Sequence, residues 1–286
     1  SGSVAITATL GDIVANLGDI SAQRWDVAAP RAPRYDPREI YGIVSADPRQ
    51  PTDNREIVAR LVDGSELHEF KPLYGETLIT GFARIKGFEV AILCNNGVLF
   101  SESALKAAHF IDLACKRGIP LLFMADVTGF MVGREAEEGG IAKHGAKMIT
   151  AMTSANVPKY TLNIGAAYGA GYLAMCGRAF KPNAMLMWPN GRSAIMGPEQ
   201  AAITLAMVKD EQHKREGKSW TPDEREAYMA PVRKTFEEFA NAYNFARHTW
   251  CDMVIDPLET RDVLALLFDR AGRVPARETR FGVFRM

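Results

Sequence analysis

The chain has 286 residues, with 34 basic and 34 acidic side chains and a hydrophobic content of 47%. The charge balance argues against a nucleic-acid partner, and the hydrophobic content is that of a globular protein with a substantial core. No apolar run approaches membrane-spanning length, which argues against a membrane partner. The cysteines are scattered without metal-ligand spacing, so we predict no metal and expect free thiols in a reducing compartment.

The N-terminal region gives the weakest structural signal. Residues 4–18 are mildly apolar and fit no clear pattern. The start, Ser1-Gly2-Ser3, resembles a cloning remnant or a cut site and has no signal-peptide pattern, which suggests a part of a longer protein. Residues 25–37 hold several prolines and arginines and are predicted to form an extended linker.

The middle of the chain alternates between β-rich and helix-periodic runs, which predicts βαβ units with parallel strands. The first predicted elements are an ordered turn, a helix capped by Asp53, a short strand and a hairpin, over residues 37–44, 55–61, 66–70, and 77–85 with 89–95. A helix, a strand, a helix and two strands follow, over residues 104–117, 119–124, 134–153, 160–164 and 185–188. The rest is predicted to be helical, over residues 198–208, 231–246 and 259–268, with a further helix start at Thr221.

The stretch from Val157 to Met175 carries the strongest functional signal. A helix is predicted from Tyr172 onward, after a predicted buried strand that runs into small residues, namely Gly165, Ala166, Ala167, Gly169, Ala170 and Gly171. A strand that turns sharply into a helix leaves backbone N–H groups free, and these favour a carboxylate, a phosphate or a developing oxyanion. The alternative is that the small residues merely let a helix pack tightly on a sheet.

A second predicted strand, over residues 119–124, ends in a turn of its own at Thr128-Gly129. Parallel strands end at the same edge of their sheet. The two turns together therefore predict two anion-facing backbone sites at one sheet edge.

Several strings in the sequence carry a resemblance to a known family. They include, in order, Thr80-Gly-Phe-Ala-Arg-Ile85, Asn95-Asn-Gly-Val-Leu-Phe-Ser-Glu-Ser103, Thr128-Gly-Phe-Met-Val-Gly133, Gly140-Ile-Ala-Lys-His-Gly-Ala-Lys-Met148, Tyr168-Gly-Ala-Gly171, Trp188-Pro-Asn190 and Phe281-Gly-Val-Phe-Arg-Met286. The sequence resembles the carboxyltransferase (β) subunit of biotin-dependent acyl-CoA carboxylases, and most of all its methylcrotonyl-CoA and geranyl-CoA carboxylase branch.

The resemblance implies an α/β, crotonase-like (ClpP/crotonase) fold, a ββα superhelix with a helical C-terminal part. The family's subunit has two such domains, of which the first carries acyl-CoA and the second receives carboxybiotin. The active site forms between the first domain of one protomer and the second domain of another. On this basis residues 1–34 are a linker or the remnant of a preceding region, and residues 35–286 are the carboxyltransferase C-terminal domain.

The implied reaction moves CO₂ from carboxybiotin to an acyl-CoA such as methylcrotonyl- or geranyl-CoA. By resemblance, the backbone N–H groups of Ala170 and Gly171 stabilise the negative charge left on the biotin ureido oxygen. Gly171 is expected to leave room for the biotin ring. Biotin-binding roles are implied for Thr128, Gly129, Phe130, Tyr168 and Gly169, with a purely packing role as the alternative for Phe130.

Two lysines at i, i+4 spacing, Lys143 and Lys147, are candidate contacts for CoA phosphates or a carboxylate, with solvated surface lysines as the alternative. Between them His144 is either a general base or a hydrogen-bonded structural histidine. The sequence departs from the family's pattern beside the proposed site, at Asp126, Ala166, Gly191 and Pro198.

The resemblance also implies a cofactor and partners. The cofactor is biotin, held covalently on a partner carrier domain, and acyl-CoA is the substrate. The partners are a biotin carboxylase/biotin carrier subunit and an N-terminal carboxyltransferase domain, on the same or a separate chain, in a homo- or hetero-oligomer. The location is the cytoplasm of a bacterium or the mitochondrial matrix of a eukaryote. A decarboxylase subunit of the same fold and a non-catalytic assembly domain are the competing hypotheses.

Overall fold

A computed structural model of the protein describes residues 23–44 and 52–282. Its centre is an eight-stranded sheet with the order β1-β2-β3-β4-β5-β6-β8, in which β7 pairs with β5. The strands are β1 His68–Glu69, β2 Leu78–Ile85, β3 Phe88–Asn95, β4 Leu121–Val127, β5 Lys159–Tyr168, β6 Ala184–Met187, β7 Arg192–Ala194 and β8 Met253–Val254. Residues 4–18 and the last residues of the C-terminal string lie outside the described residues.

The predicted hairpin and the predicted parallel strands are both confirmed. β2 and β3 are antiparallel around Lys86 and Gly87, whose φ angles of 49° and 86° form the tight turn. From β3 through β4 and β5 to β6 the pairing is parallel. We call the edge at which β3, β4 and β5 end, at Asn95, Val127 and Tyr168, the carboxyl edge. The opposite edge, at the hairpin turn, is the turn edge.

The helices connect these strands and form the C-terminal part. They are α1 Ile40–Ile43, α2 Asn54–Leu61, α3 Ser101–Lys116, α4 Arg134–Glu138, α5 Ile141–Ser154, α6 Gly169–Ala174, α7 Pro198–Arg215, α8 Pro222–Ala240, α9 Ala242–Arg247 and α10 Thr260–Gly272. The helix predicted over residues 134–153 is two helices, because Gly140 takes the left-handed conformation with φ 79° between them.

The helix predicted over residues 231–246 is also wrong in its bounds. Thr221 starts α8 with a capping box, and the helix continues through Pro231 to Ala240. The break comes at Asn241, whose extended backbone ends α8 and whose side chain caps α9. Proline usually kinks or ends a helix because its ring meets a preceding carbonyl and it lacks an N–H, but α8 accommodates it at Pro231.

The core lies on both faces of the sheet, and β4 contributes to both because successive side chains point to opposite faces. On one face Phe123 packs in a fully buried cluster with Phe110 of α3 and Met148 of α5. On the other face Leu122 packs in a cluster that includes Phe268 of α10. Each such buried side chain stabilises the fold by about 1.5–3 kcal/mol.

Two features of the sheet differ from the predictions. β5 continues through residues 165–168, which were predicted to be part of a turn, because they pair with β4 and β7. β7 and β8 were missed, since each is only two or three residues long. The segment predicted as a linker contains no helix or strand before residue 37, and it contacts the sheet domain where the Trp25 indole N–H donates to the Gly118 carbonyl, 3.1 Å away.

Candidate active site at the carboxyl edge

The structure brings the two glycine-containing turns into direct contact at the carboxyl edge. A Cβ atom placed on Gly171 would lie 2.9 Å from the Cα of Gly129 and 3.2 Å from both methyl groups of Val127. Only a residue without a side chain allows this approach. The predicted neighbourhood of the two turns is therefore present, although the segment after β4 reaches its helix only at Arg134 and is a loop rather than a strand-to-helix turn.

The same geometry gives Gly171 a packing role. Its missing side chain points toward Val127, which is buried, and Gly129, which is half-buried, and Gly171 itself is buried. The glycine is therefore required for the packing of α6 on the β4 loop. That Gly171 leaves room for a biotin ring stays a prediction.

The start of α6 presents backbone N–H groups without a side-chain cap. Tyr168 is the N-cap residue with extended backbone, and its side chain makes no capping hydrogen bond. Gly169 has φ 54°, and a Cβ there would lie 2.9 Å from the Ile195 carbonyl oxygen, so the sharp entry into the helix requires glycine. Ala170, the second residue of α6, is exposed, and the next residue, Gly171, lies against the Gly129 loop.

Phe130 and Tyr168 support this edge from within. The Phe130 ring packs on Gly145 of α5, 3.2 Å from the position of a Cβ there, and its backbone bridges to Leu99. Tyr168 is 7% exposed and packs with Ala166 and Ala240, and burial raises the pKa of its hydroxyl. The side chains of both residues therefore pack in the protein. Thr128 is exposed beside them.

The α5 residues fall in different environments. Lys143 is exposed, as expected for a solvated surface lysine. Lys147 is buried, so the alternative of a solvated surface lysine is wrong for this residue. Burial, and next the charges of these lysines, lower the pKa of His144 from its ordinary value of 6.5. Its Nδ1 is buried without a hydrogen-bond partner among the described residues, so the hydrogen bond expected of a structural histidine is missing at that atom.

Sequence reasoning missed a set of buried polar side chains at the same edge. Asn95 ends β3, Asp126 lies near the end of β4 and Asn163 lies in β5. Asn95 and Asn163 are fully buried and Asp126 is half-buried. The available signal was a polar residue near the end of each of three apolar runs. Asp126 also contacts Ala166, whose N–H donates to its carboxylate at 3.0 Å, so two of the departures from the family's pattern are hydrogen-bonded partners.

The composition of the described ranges, 23–44 and 52–282, also limits the type of site. They contain no cluster of three or more His, Cys, Asp or Glu side chains suited to a metal ion. None of their helices has the length and apolar character needed to cross a membrane.

Comparison with known families and proteins agrees with this architecture. The sequence profile described as "Carboxyl transferase domain" matches residues 7–278. The chain is 54% identical over 254 residues to the biotin-dependent 3-methylcrotonyl-coenzyme A carboxylase beta1 subunit of Mycobacterium tuberculosis, covering 89% of this chain and 48% of the relative. It is 52% identical over 254 residues to a probable mitochondrial methylcrotonoyl-CoA carboxylase beta chain of Drosophila melanogaster, covering 89% of this chain and 44% of the relative.

Solved structures give the same result. The β subunit of Pseudomonas aeruginosa geranyl-CoA carboxylase superimposes with a TM-score of 0.80 at 39% identity, over 90% of this chain and 50% of that one. A chain of the transcarboxylase 12S structure superimposes with a TM-score of 0.77 at 32% identity, over 92% of this chain and 49% of that one. The chain thus spans about half the length of the relatives that it matches.

Proposed function

The chain belongs to the carboxyl transferase domain family, and we propose from this premise that it is the carboxybiotin-receiving half of a biotin-dependent acyl-CoA carboxylase. It would act with a half that holds the acyl-CoA, such as a methylcrotonyl-, geranyl- or related thioester. The relatives whose names include these activities are about twice as long as this protein. We therefore assign recognition of the acyl group to the other half.

One observation carries the proposal: the approach of Gly171 to Gly129 places an uncapped helix start beside the loop after β4. The site thus has backbone donors fixed by packing rather than by flexible side chains. Fixed donors stabilise charge that develops during a reaction without first having to reorient, which is the property that carboxyl transfer needs.

We expect the biotin ring to bind at this edge. When bound, carboxybiotin supplies the carboxyl group, and its departure leaves negative charge on the ureido oxygen. The N–H groups of Ala170 and Gly171 would donate to that oxygen. Thr128, Gly129 and Gly169 would line the approach because they carry small side chains or none, and Phe130 and Tyr168 would hold these loops in place from within.

The charged residues of α5 would take a secondary role. Exposed Lys143 is a candidate contact for a phosphate of CoA or a carboxylate, and buried Lys147 would act on the local potential rather than as a direct ligand. A site made of backbone donors requires no metal from this chain.

We also propose that the chain binds an N-terminal carboxyltransferase domain and, through it, a biotin carrier. The motivating surface lies on and before α7, where Ile195, Met207 and Val208 are 83%, 59% and 65% exposed. Apolar side chains concentrated in this way mark protein interfaces. An oligomer is expected, as in the hexamer named for the transcarboxylase 12S subunit.

A reconstitution experiment tests these proposals together. The first half of the Mycobacterium tuberculosis relative is supplied as a separate chain, complex formation is followed by light scattering, and carboxyl transfer is then measured with a biotinylated carrier domain. We expect a complex, and activity only when both halves are present. A complex without transfer would indicate a non-catalytic assembly domain, and two separate monomers would contradict the proposed partner.

A further inference from the structure

The last part of β5 reaches the candidate site through a bulge. Pairing with β4 is regular up to Ala125 opposite Asn163 and resumes at Val127 opposite Ala167. One residue of β4 therefore faces three residues of β5, namely 164–166. Extra residues of this kind bend a strand and redirect the residues after the bulge, and they are frequent beside active sites.

Side chains bind the backbone of this bulge where the strand ladder is interrupted. They are Asn163, whose Oδ1 accepts from the Gly165 N–H at 3.2 Å, Asn190, whose Nδ2 donates to the Ile164 carbonyl at 2.8 Å, and Asp126, whose Oδ1 accepts from the Ala166 N–H at 3.0 Å. Asp126 is the charged member of the set. A hydrogen bond to a charged acceptor is about twice as strong as a neutral one.

Asp126 is itself held firmly from the other side. Its second oxygen accepts from Asn54 Nδ2 at 3.0 Å, and its own N–H donates to Asn95 Oδ1 at 3.2 Å. Asn54 Nδ2 also donates to the Asn95 carbonyl at 2.7 Å, so two oxygens fix the orientation of the Asn54 amide. A Cβ on Gly165 would overlap the Asp126 carboxylate, so the bulge is shaped around this side chain.

We propose that Asp126 is a positioning residue, whose carboxylate fixes the β5 bulge and thereby the direction in which the strand delivers Gly169 to Gly171. The expected effect on carboxyl transfer rests on the proposed function, whereas the role of Asp126 in fixing the bulge does not. Asp126 forms no ion pair with any described residue, so its charge is directed to Ala166 and Asn54. Only Ala167 and Tyr168 separate the bulge from α6, and a shift at Ala166 therefore moves the helix start against Gly129.

The first test is amide hydrogen exchange on the whole chain. Asp126→Ala removes both accepted hydrogen bonds, and we expect the Ala166 to Gly171 amides to exchange about ten- to a hundredfold faster, the range expected for losing a bond to a charged acceptor. Asp126→Asn keeps an oxygen for the Ala166 N–H but turns a donor toward Asn54. If Asp126 acts through Ala166, the asparagine variant retains most of the protection.

The matched control is Asp63→Asn. Asp63 is a buried carboxylate that also accepts backbone N–H groups, but at the turn edge, from Lys86 at 2.9 Å and Gly87 at 2.8 Å. This variant should lower overall stability and leave the relative exchange rates of residues 166–171 unchanged.

In the reconstituted enzyme, we expect Asp126→Ala to lower kcat by roughly a hundredfold with little change in KM for acyl-CoA, and Asp126→Asn to restore most of kcat. A folded Asp126→Ala variant with the parent's exchange pattern would overturn the inference whatever the activity. So would an asparagine variant as unprotected as the alanine variant, because Asp126 would then act through Asn54. If the reconstituted parent shows no transfer at all, the proposed function fails and the exchange result still decides the role of Asp126.

Discussion

At the turn edge of the sheet, Asp63 accepts from the hairpin N–H groups and from the Arg261 guanidinium, 2.7 Å away. At the carboxyl edge, Asp126 accepts from Ala166 and Asn54 and has no cation among the described residues. The two carboxylates, which lie at opposite edges of the same sheet, thus have different structural roles. Asp63 ties the C-terminal helix to the hairpin, whereas Asp126 shapes one strand next to the candidate site.

The surroundings of Asp126 also contain polar groups that lack hydrogen-bond partners. Near Asp126, Asn54 Oδ1 and Asn95 Nδ2 are buried without hydrogen-bond partners among the described residues. The helices that begin at this edge after β3, β4 and β5 have no side-chain caps, although α2 is capped by Asp53. Buried donors and acceptors without partners cost stability, and such atoms are tolerated where a site binds a ligand, as we propose for the carboxyl edge.

The comparison is tested most strongly by Asp63→Ala. This change leaves the Arg261 guanidinium buried without its carboxylate, and we expect the free energy of unfolding to fall by about 3–5 kcal/mol. Urea denaturation measures it. Under conditions where the variant is folded, the carboxyl-transfer rate of the reconstituted enzyme should stay near that of the parent. A large loss of rate in the folded variant would mean that the two edges are not separate in function.

Acidification sharpens the comparison at the carboxyl edge. Because burial lowers the pKa of His144 below 6.5, the unfolded chain takes up a proton that the folded chain does not. The contribution of His144 to the free energy of unfolding should therefore be complete above about pH 6.5, and the free energy should decrease as the pH falls below this value. His144→Gln should flatten this slope, because it removes the group whose pKa differs between the folded and unfolded chain. Equal slopes in the parent and the His144→Gln variant would show that His144 is protonated as easily in the folded state.

Much of the fold was predictable from the sequence because the signals were local. The hairpin around Lys86-Gly87 and the capped start of α8 were both predicted from short patterns, and both are present. The bulge in β5 was not predicted, since it depends on Asp126 and Asn190, which lie far from it along the chain. The small residues Gly165, Ala166 and Ala167 were interpreted as part of a turn for the same reason, because pairing with β4 and β7 overrides their weak strand propensity.

For the candidate site, the sequence indicated which turns meet but not how. Gly129 and Gly171 were both singled out, and the structure places them in contact. The direction of the missing Gly171 side chain could not be read from the sequence, because it depends on how α6 packs on Val127. The burial of Lys147 was likewise hidden, since the i, i+4 spacing with Lys143 fixes a helix face but not its neighbours.

The central claim is that a backbone N–H at the start of α6 stabilises the developing charge. It is tested most directly by replacing Ala170 with L-lactic acid, which turns its amide into an ester and removes the N–H while keeping the exposed methyl group. The control is the same replacement at Ala142, also exposed and also the second residue of an uncapped helix, α5.

The measurement is single-turnover carboxyl transfer by the reconstituted enzyme, with circular dichroism to verify folding. We predict a fall in rate of roughly 10²–10³ for the ester at position 170 and a change of less than about threefold for the ester at position 142. A folded ester at position 170 that transfers at the parent's rate would contradict the account.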